Sequence, residues 1–300
     1  MPLKPRPQLR WFLGALLAAA CFAGPASALD KVKVVASFSI MDDFVKNIGG
    51  AHVDVTSLVG PNGDPHVFEP SPADAGLIAD AKIVVVNGLG LEGWLNRLIA
   101  VSNKQALIVV ATQGVTPRGR EDDRTRHDPH AWQSVANAKI YAANIRDGLI
   151  AADPANKADY ESNYSAYLSK LTALDQEIRD TVMTIPPDRR RVLTNHDAFG
   201  YFADVYGIAF VGLQGMSTDA EPSARDVAST IRQIKEQKIT ALFLENIVNP
   251  AQLKRIAEET GVRIGGILYS DALTEAGGEA PSYIDLMRHN IKALSAALRG

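Results

Sequence analysis

Eight short apolar runs rich in β-branched residues punctuate the chain, at 32–38, 53–59, 83–86, 106–110, 191–194, 208–213, 240–244 and 262–268. Runs of this length read as buried strands, and their alternation with helical stretches predicts βαβ units around mostly parallel sheets. Helical periodicity falls near 40–48, 71–80 and 91–101 in the first half, and near 222–237, 250–260 and 282–298 in the second. Between the halves lie a helical segment over 134–152, a break at Asp153-Pro154, and a longer helix to about 185. In that longer helix Tyr160, Tyr164, Tyr167, Leu171, Leu174, Ile178 and Val182 occupy one face for several turns. Pro186-Pro187 stops it, because a proline lacks the N–H and the space a helix interior needs. The expected architecture is α/β: two (β/α) lobes with parallel sheets, joined by one long rigid helix. The expected boundaries are an N-terminal lobe over 29–153, the linking helix over 154–186 and a C-terminal lobe over 187–300.

The first 28 residues carry Lys4, Arg6 and Arg10, an apolar run from Trp11 to Ala23, and Ala26-Ser27-Ala28. That is the layout of a secretory signal peptide, with export to the periplasm, and the apolar run is too short for a permanent anchor. Cys21 is the single cysteine, and its lipidation would instead give a membrane-anchored lipoprotein. Cleavage after Ala28 leaves no thiol for a disulfide or a metal. It also removes three of the 31 basic residues and none of the 34 acidic ones, so the net charge moves from −3 to about −6. That charge argues against nucleic acid as a partner.

Three histidines and one aspartate stand just past expected strands. They are His66 in Asp64-Pro-His66-Val-Phe-Glu, His130 in Asp128-Pro-His130-Ala-Trp, His196 in Asn195-His196-Asp-Ala-Phe, and Asp271 in Tyr269-Ser-Asp271. Two precede the linking helix and two follow it, which predicts a metal site in the cleft between the lobes, because ligands gather outside the carboxyl ends of parallel strands. Three imidazoles and a carboxylate complete a tetrahedral set for Zn2+, and a closed set holds an ion rather than leaving a position open for catalysis. Glu69, Asp128, Asp197 and Glu245 are candidates to orient the rings from behind. For Glu69, Asp128 and Asp197, helix capping or loop solvation is the competing reading. Glu245 ends an expected strand and reads equally as a ligand, a ring partner or a general base. His52 and His289 read as surface residues, and His127 as a loop residue able to capture metal transiently. Trp94 and Trp132 read as lobe-interface packing, with Trp132 walling the site from water. The charged stretch 117–126 reads as a mobile loop.

At these residues the chain resembles the ZnuA/TroA-like family of zinc and manganese substrate-binding proteins of ABC importers. The resembling blocks are Ala36-Ser-Phe-Ser-Ile-Met-Asp-Asp43, Gly63-Asp-Pro-His66-Val-Phe-Glu-Pro70, the segment from Ala81 to Trp94, Asp128-Pro-His130-Ala-Trp132 and Asn195-His196-Asp-Ala-Phe199. The resemblance implies that His66, His130, His196 and Asp271 are the ligands and that the ion passes to a permease with its separate ATPase at the inner membrane. It also implies a monomer, not an enzyme, with a metallochaperone as a further candidate partner. Members that favour Mn2+ often carry a carboxylate where His196 stands, and nitrogen donors suit zinc. Two features depart from the pattern: the long His-rich loop is replaced by 117–126, and Gln133-Ser134-Val135 stands where many members have Leu-Asp-Pro. The alternatives are a manganese-binding member, a zinc-dependent hydrolase with Glu245 as base, and a metal-binding surface adhesin anchored through Cys21.

Overall fold

The computed structural model describes residues 1–2, 31–102, 106–119 and 127–299. Cys21 and all but the first two residues of the expected signal peptide lie outside the described residues, as do residues 120–126 of the expected mobile loop.

The first lobe runs β1 (Val32–Phe38), α1 (Ser39–Gly49), β2 (Val53–Val59), α2 (Pro72–Asp80), β3 (Ile83–Val86), α3 (Leu95–Ser102), β4 (Leu107–Val110) and α4 (Val135–Ala152). Helix α5 (Lys157–Met183) follows. The second lobe runs β5 (Arg191–Thr194), α6 (Gly200–Tyr206), β6 (Ala209–Gly212), α7 (Ala224–Glu236), β7 (Ala241–Glu245), α8 (Ala251–Thr260), β8 (Arg263–Leu268) and α9 (Tyr283–Leu298). Each lobe holds a four-stranded, all-parallel sheet, and the two orders correspond: β2-β1-β3-β4 and β6-β5-β7-β8. The chain therefore reverses its winding direction between β1 and β3, and again between β5 and β7. Such switch points open a crevice at the carboxyl ends of the strands.

The central strands β1 and β3 are almost wholly buried. The runs 106–110 and 262–268, expected to be buried, are the outer strands β4 and β8 instead. Among the described residues each pairs on one side only, and Leu107, Ile108, Val110, Ile264 and Ile267 are exposed. Helix α6 escaped the sequence reading because its seven residues are too few to establish a period.

Helix α5 buries Tyr160, Tyr167, Leu171, Leu174, Ile178 and Val182 against α1 and α4 of the first lobe and α9 of the second. Tyr164, on the edge of that stripe, is half-buried beneath the Arg146 guanidinium, 4.3 Å from its ring centroid. Truncating a residue such as Leu171 to alanine would cost about 2–5 kcal/mol, the usual range for an emptied core position. A continuous core runs from the first sheet past α5 into one face of the second sheet, reaching Val192, Ala241 and Phe243. The alternate residues Leu193 and Leu242 point the other way, into a separate small core with Ile234, Leu253 and Ile256. A bulge in β8 opposite Leu242/Phe243 accommodates this packing. It places Gly265 where a Cβ would lie 2.6 Å from the Phe243 ring, so only glycine fits.

Candidate metal centre

The site is assembled from four loops at the carboxyl ends of the sheets. His66 lies in the connection from β2 to α2, whose far end is fixed by Ser71, the N-cap of α2 in a reciprocal pair with Asp74. His130 follows β4 and precedes α4, which Ser134 caps by accepting from the Asn137 N–H. The departure at Gln133-Ser134-Val135 thus starts a helix, and the Gln133 side chain donates to the Ser270 carbonyl at 2.9 Å. His196 lies two residues past β5, and Asp271 three past β8.

One potential ligand atom from each of His66, His130, His196 and Asp271 lies within 4.8 Å of the others. Asp271 Oδ2 is 3.1 Å from Nε2 of both His66 and His196. His66 Nε2 is 3.2 Å from His130 Nε2, which stands 3.7 Å from Asp271 Oδ1. Three Nε2 atoms and a carboxylate thus converge on one point. His130, His196 and Asp271 are fully buried, and the His66 side chain is 5% exposed.

Carboxylates hold two of the rings from behind. Asp128 Oδ1 lies 2.8 Å from His130 Nδ1 and also accepts the His130 backbone N–H. Glu245 Oε2 lies 2.6 Å from His196 Nδ1, and its Oε1 accepts the His196 backbone N–H. A proton kept on Nδ1 leaves the Nε2 lone pair facing the centre, the tautomer a metal requires. Glu69 is exposed. Asp197 is half-buried, its N–H donates to the Gly215 carbonyl, and burial pushes its carboxyl above the usual range. Among the described residues neither Glu69 nor Asp197 pairs with a ligand ring.

The charges in this cluster are tightly linked. Burial acts against a charged His130 ring, but Asp271 and Asp128 outweigh it and raise its pKa to about 9. Burial likewise opposes charge on His196, and Glu245 and Asp271 raise its pKa well above the ordinary value. Burial favours a neutral Asp271, yet His196 and His130 hold its carboxyl well below the usual carboxylate range. In the metal-free protein an ionised Asp271 is therefore faced by protonated imidazoles. A divalent cation can supply that positive charge instead, and release the protons.

Trp132 packs its ring 5.3 Å from that of His130 and donates to the Ser270 carbonyl across the lobes. Trp94 sits within the first lobe rather than at the interface: its ring packs on Phe68 and its Nε1 donates to the Pro65 carbonyl, fastening the His66 loop. The remaining histidines stand apart. His52 pairs with Asp159, His289 bonds to the Ile267 carbonyl, and His127 is exposed in a bridge with Gly119. Arg118, inside the stretch expected to be mobile, is anchored. It reaches Asp204 at 3.0 Å and Asp128 at 3.4 Å, and its N–H donates to the Tyr201 hydroxyl. Sequence reading missed Arg118 and Tyr201 because they lie 83 residues apart with no shared pattern.

The profile of the family described as "Zinc-uptake complex component A periplasmic" matches residues 34–297. The manganese-binding lipoprotein MntA of Halalkalibacterium halodurans is 36% identical over 288 residues, 95% of each chain. Among solved structures, the periplasmic zinc-binding protein TroA of Treponema pallidum superposes with a TM-score of 0.86 at 30% identity, covering 90% of this chain and all of that one. A manganese-bound periplasmic metal-binding protein from Candidatus Liberibacter asiaticus gives 0.81 at 33%, covering 89% and 100%. The chain belongs to the zinc-uptake component A family, whose members are substrate-binding proteins of ABC importers and not enzymes.

Proposed function

We propose that this protein captures a divalent transition metal outside the cytoplasm through His66, His130, His196 and Asp271, and hands it to an ABC permease driven by its own ATPase. The observation that carries this reading is the convergence of three Nε2 atoms on a buried carboxylate, with Asp128 bonded to the far side of one ring and Glu245 Oε2 2.6 Å from Nδ1 of another. Four protein donors leave no coordination position for a reacting water, in keeping with an ion that is cargo.

Zinc is the cargo the donor set favours. In nitrogen-rich sites affinity rises from Mn2+ to Zn2+, so a site of three imidazoles and one carboxylate takes zinc more tightly. The manganese reading rests on the names of relatives such as MntA, and metal supply outside the cell can override raw affinity. The lobes extend from about residue 29 to 153 and from 187 to 300, with the helix between them as the link. The leader over 1–28 directs export, and Cys21 is the attachment point should the chain be anchored as MntA's name describes. No helix among the described residues is long and apolar enough to cross a membrane.

Calorimetric titration of the metal-stripped protein with Zn2+ and Mn2+ tests the assignment. One ion per chain is expected, with zinc displacing bound manganese. No uptake of either ion would overturn the function, and manganese binding the tighter would overturn the choice of zinc.

A further inference from the structure

We propose that Asp64 is a positioning residue for His66 and that, with Thr218 of the second lobe, it forms a latch that sets how fast the metal leaves. This rests on the metal-binding reading above. His66 differs from the other three groups in how it is held. Among the described residues no carboxylate lies within 4 Å of its Nδ1, and its ring contacts run through Nε2 to His130 and Asp271. What fixes it is its backbone. Asp64 Oδ1 accepts the His66 N–H at 2.9 Å, while Oδ2 of the same carboxylate accepts the Thr218 hydroxyl at 2.6 Å. One side chain thus ties a ligand in the first lobe to the body of the second.

The rest of the loop is tied at both ends. Its root is fixed in the first lobe by the Trp94 bond to Pro65. Its tip crosses the cleft: the Asn62 N–H donates to the Leu273 carbonyl at 2.8 Å, and Asn246 donates to Asn62 Oδ1 at 3.0 Å. Asn62 makes that reach at φ 56°, in the left-handed region that asparagine tolerates better than most residues. A cavity of about 190 Å³ lies along this seam, bordered by Asp64, Thr218, Asn195, Gln214, Glu221 and Gln252. Its lining is polar and apolar in about equal measure, and it is large enough for several waters beside Asp64 and Thr218. The opposite seam, by contrast, is locked by Arg118 between Asp128 and Asp204 and by Tyr201 bonded to the Asp128 carbonyl. The opposite side carries the Arg118–Asp204 ion pair and this side is closed by hydrogen bonds alone, which makes the His66 loop the gate.

The test uses Thr218→Val, which keeps the shape and deletes the hydroxyl, beside Thr218→Ser, which keeps the hydroxyl. In the metal-free chains, amide exchange over residues 60–66 should rise in the valine variant only. In the zinc-loaded chains, release to a fast chelator should accelerate about tenfold in the valine variant, the scale of one hydrogen bond to a charged group. The serine variant should match the natural chain, and the Co2+ absorption spectrum should stay unchanged in both. Unchanged exchange and release in Thr218→Val, or equal acceleration by Thr218→Ser, would overturn the latch. If the natural chain takes no metal, the reading beneath it falls and the release role with it, and the exchange measurement still decides whether the loop is tied to Thr218.

Discussion

The floor of the site and its His66 corner are built in opposite ways. His130, His196 and Asp271 lie fully buried, and a carboxylate stands behind each of the two rings. His66 is slightly exposed, has no carboxylate behind its ring among the described residues, and is positioned through its own N–H. The difference teaches a division of labour: buried, paired charges fix the coordination geometry, while the corner whose ring has no carboxylate behind it lets the cargo come and go. A site rigid on all four corners would retain the ion, and one loose on all four would not select it.

The strongest way to break this comparison is to remove a floor ligand. Asp271→Ala or His196→Ala leaves buried charge without its partner, a loss of about 3–5 kcal/mol, or roughly a thousandfold in zinc affinity by titration. His66→Ala should cost less, about a hundredfold or below, because water reaches the corner it vacates. Stopped-flow chelation should show most of that loss in the release rate. If His66→Ala weakened binding more than Asp271→Ala, the two halves would have been assigned the wrong way round.

Smaller changes sharpen the contrast. Asp128→Asn and Glu245→Gln keep the shape but free the ring tautomers, and each should lower affinity by about tenfold or somewhat more. The pH dependence belongs to the floor as well. With His130 raised to about 9 in the metal-free protein and His196 raised as well, binding must displace their protons, so zinc affinity should climb from pH 6 toward pH 9. The sign for stability is the reverse. A folded-state pKa above the unfolded value stabilises the metal-free protein below about 6.5 and loses that stabilisation as pH rises through about 9. Melting of the metal-free form should therefore fall between pH 7 and pH 9.5 through this group. The least effect is expected for Glu69→Gln, within about 0.5 kcal/mol, because the side chain is exposed and away from the rings.

Much of this was readable in the sequence, for identifiable reasons. The runs at 32–38, 53–59, 83–86 and 191–194 are strands to the residue, because β-branched runs bounded by turn residues leave little choice of element. The four converging residues were visible as ligand types at strand ends, and Glu245 stood out as a carboxylate closing an apolar strand. What stayed hidden depends on which edge or loop meets which. Exposure of β4 and β8 follows from their place at the sheet margin, and periodicity does not encode strand order. Trp94 serves its own lobe because Pro65 happens to pass beneath it. Thr218 meets Asp64 across 154 residues, a contact with no local signature.

How the ion is held matters most, and a crystal structure of the zinc-loaded protein reads that directly. It should show one ion bound by Nε2 of His66, His130 and His196 and by the Asp271 carboxylate at about 2.0–2.2 Å, in tetrahedral geometry. An ion bound elsewhere, or one with water in place of Asp271 or His66, would contradict it.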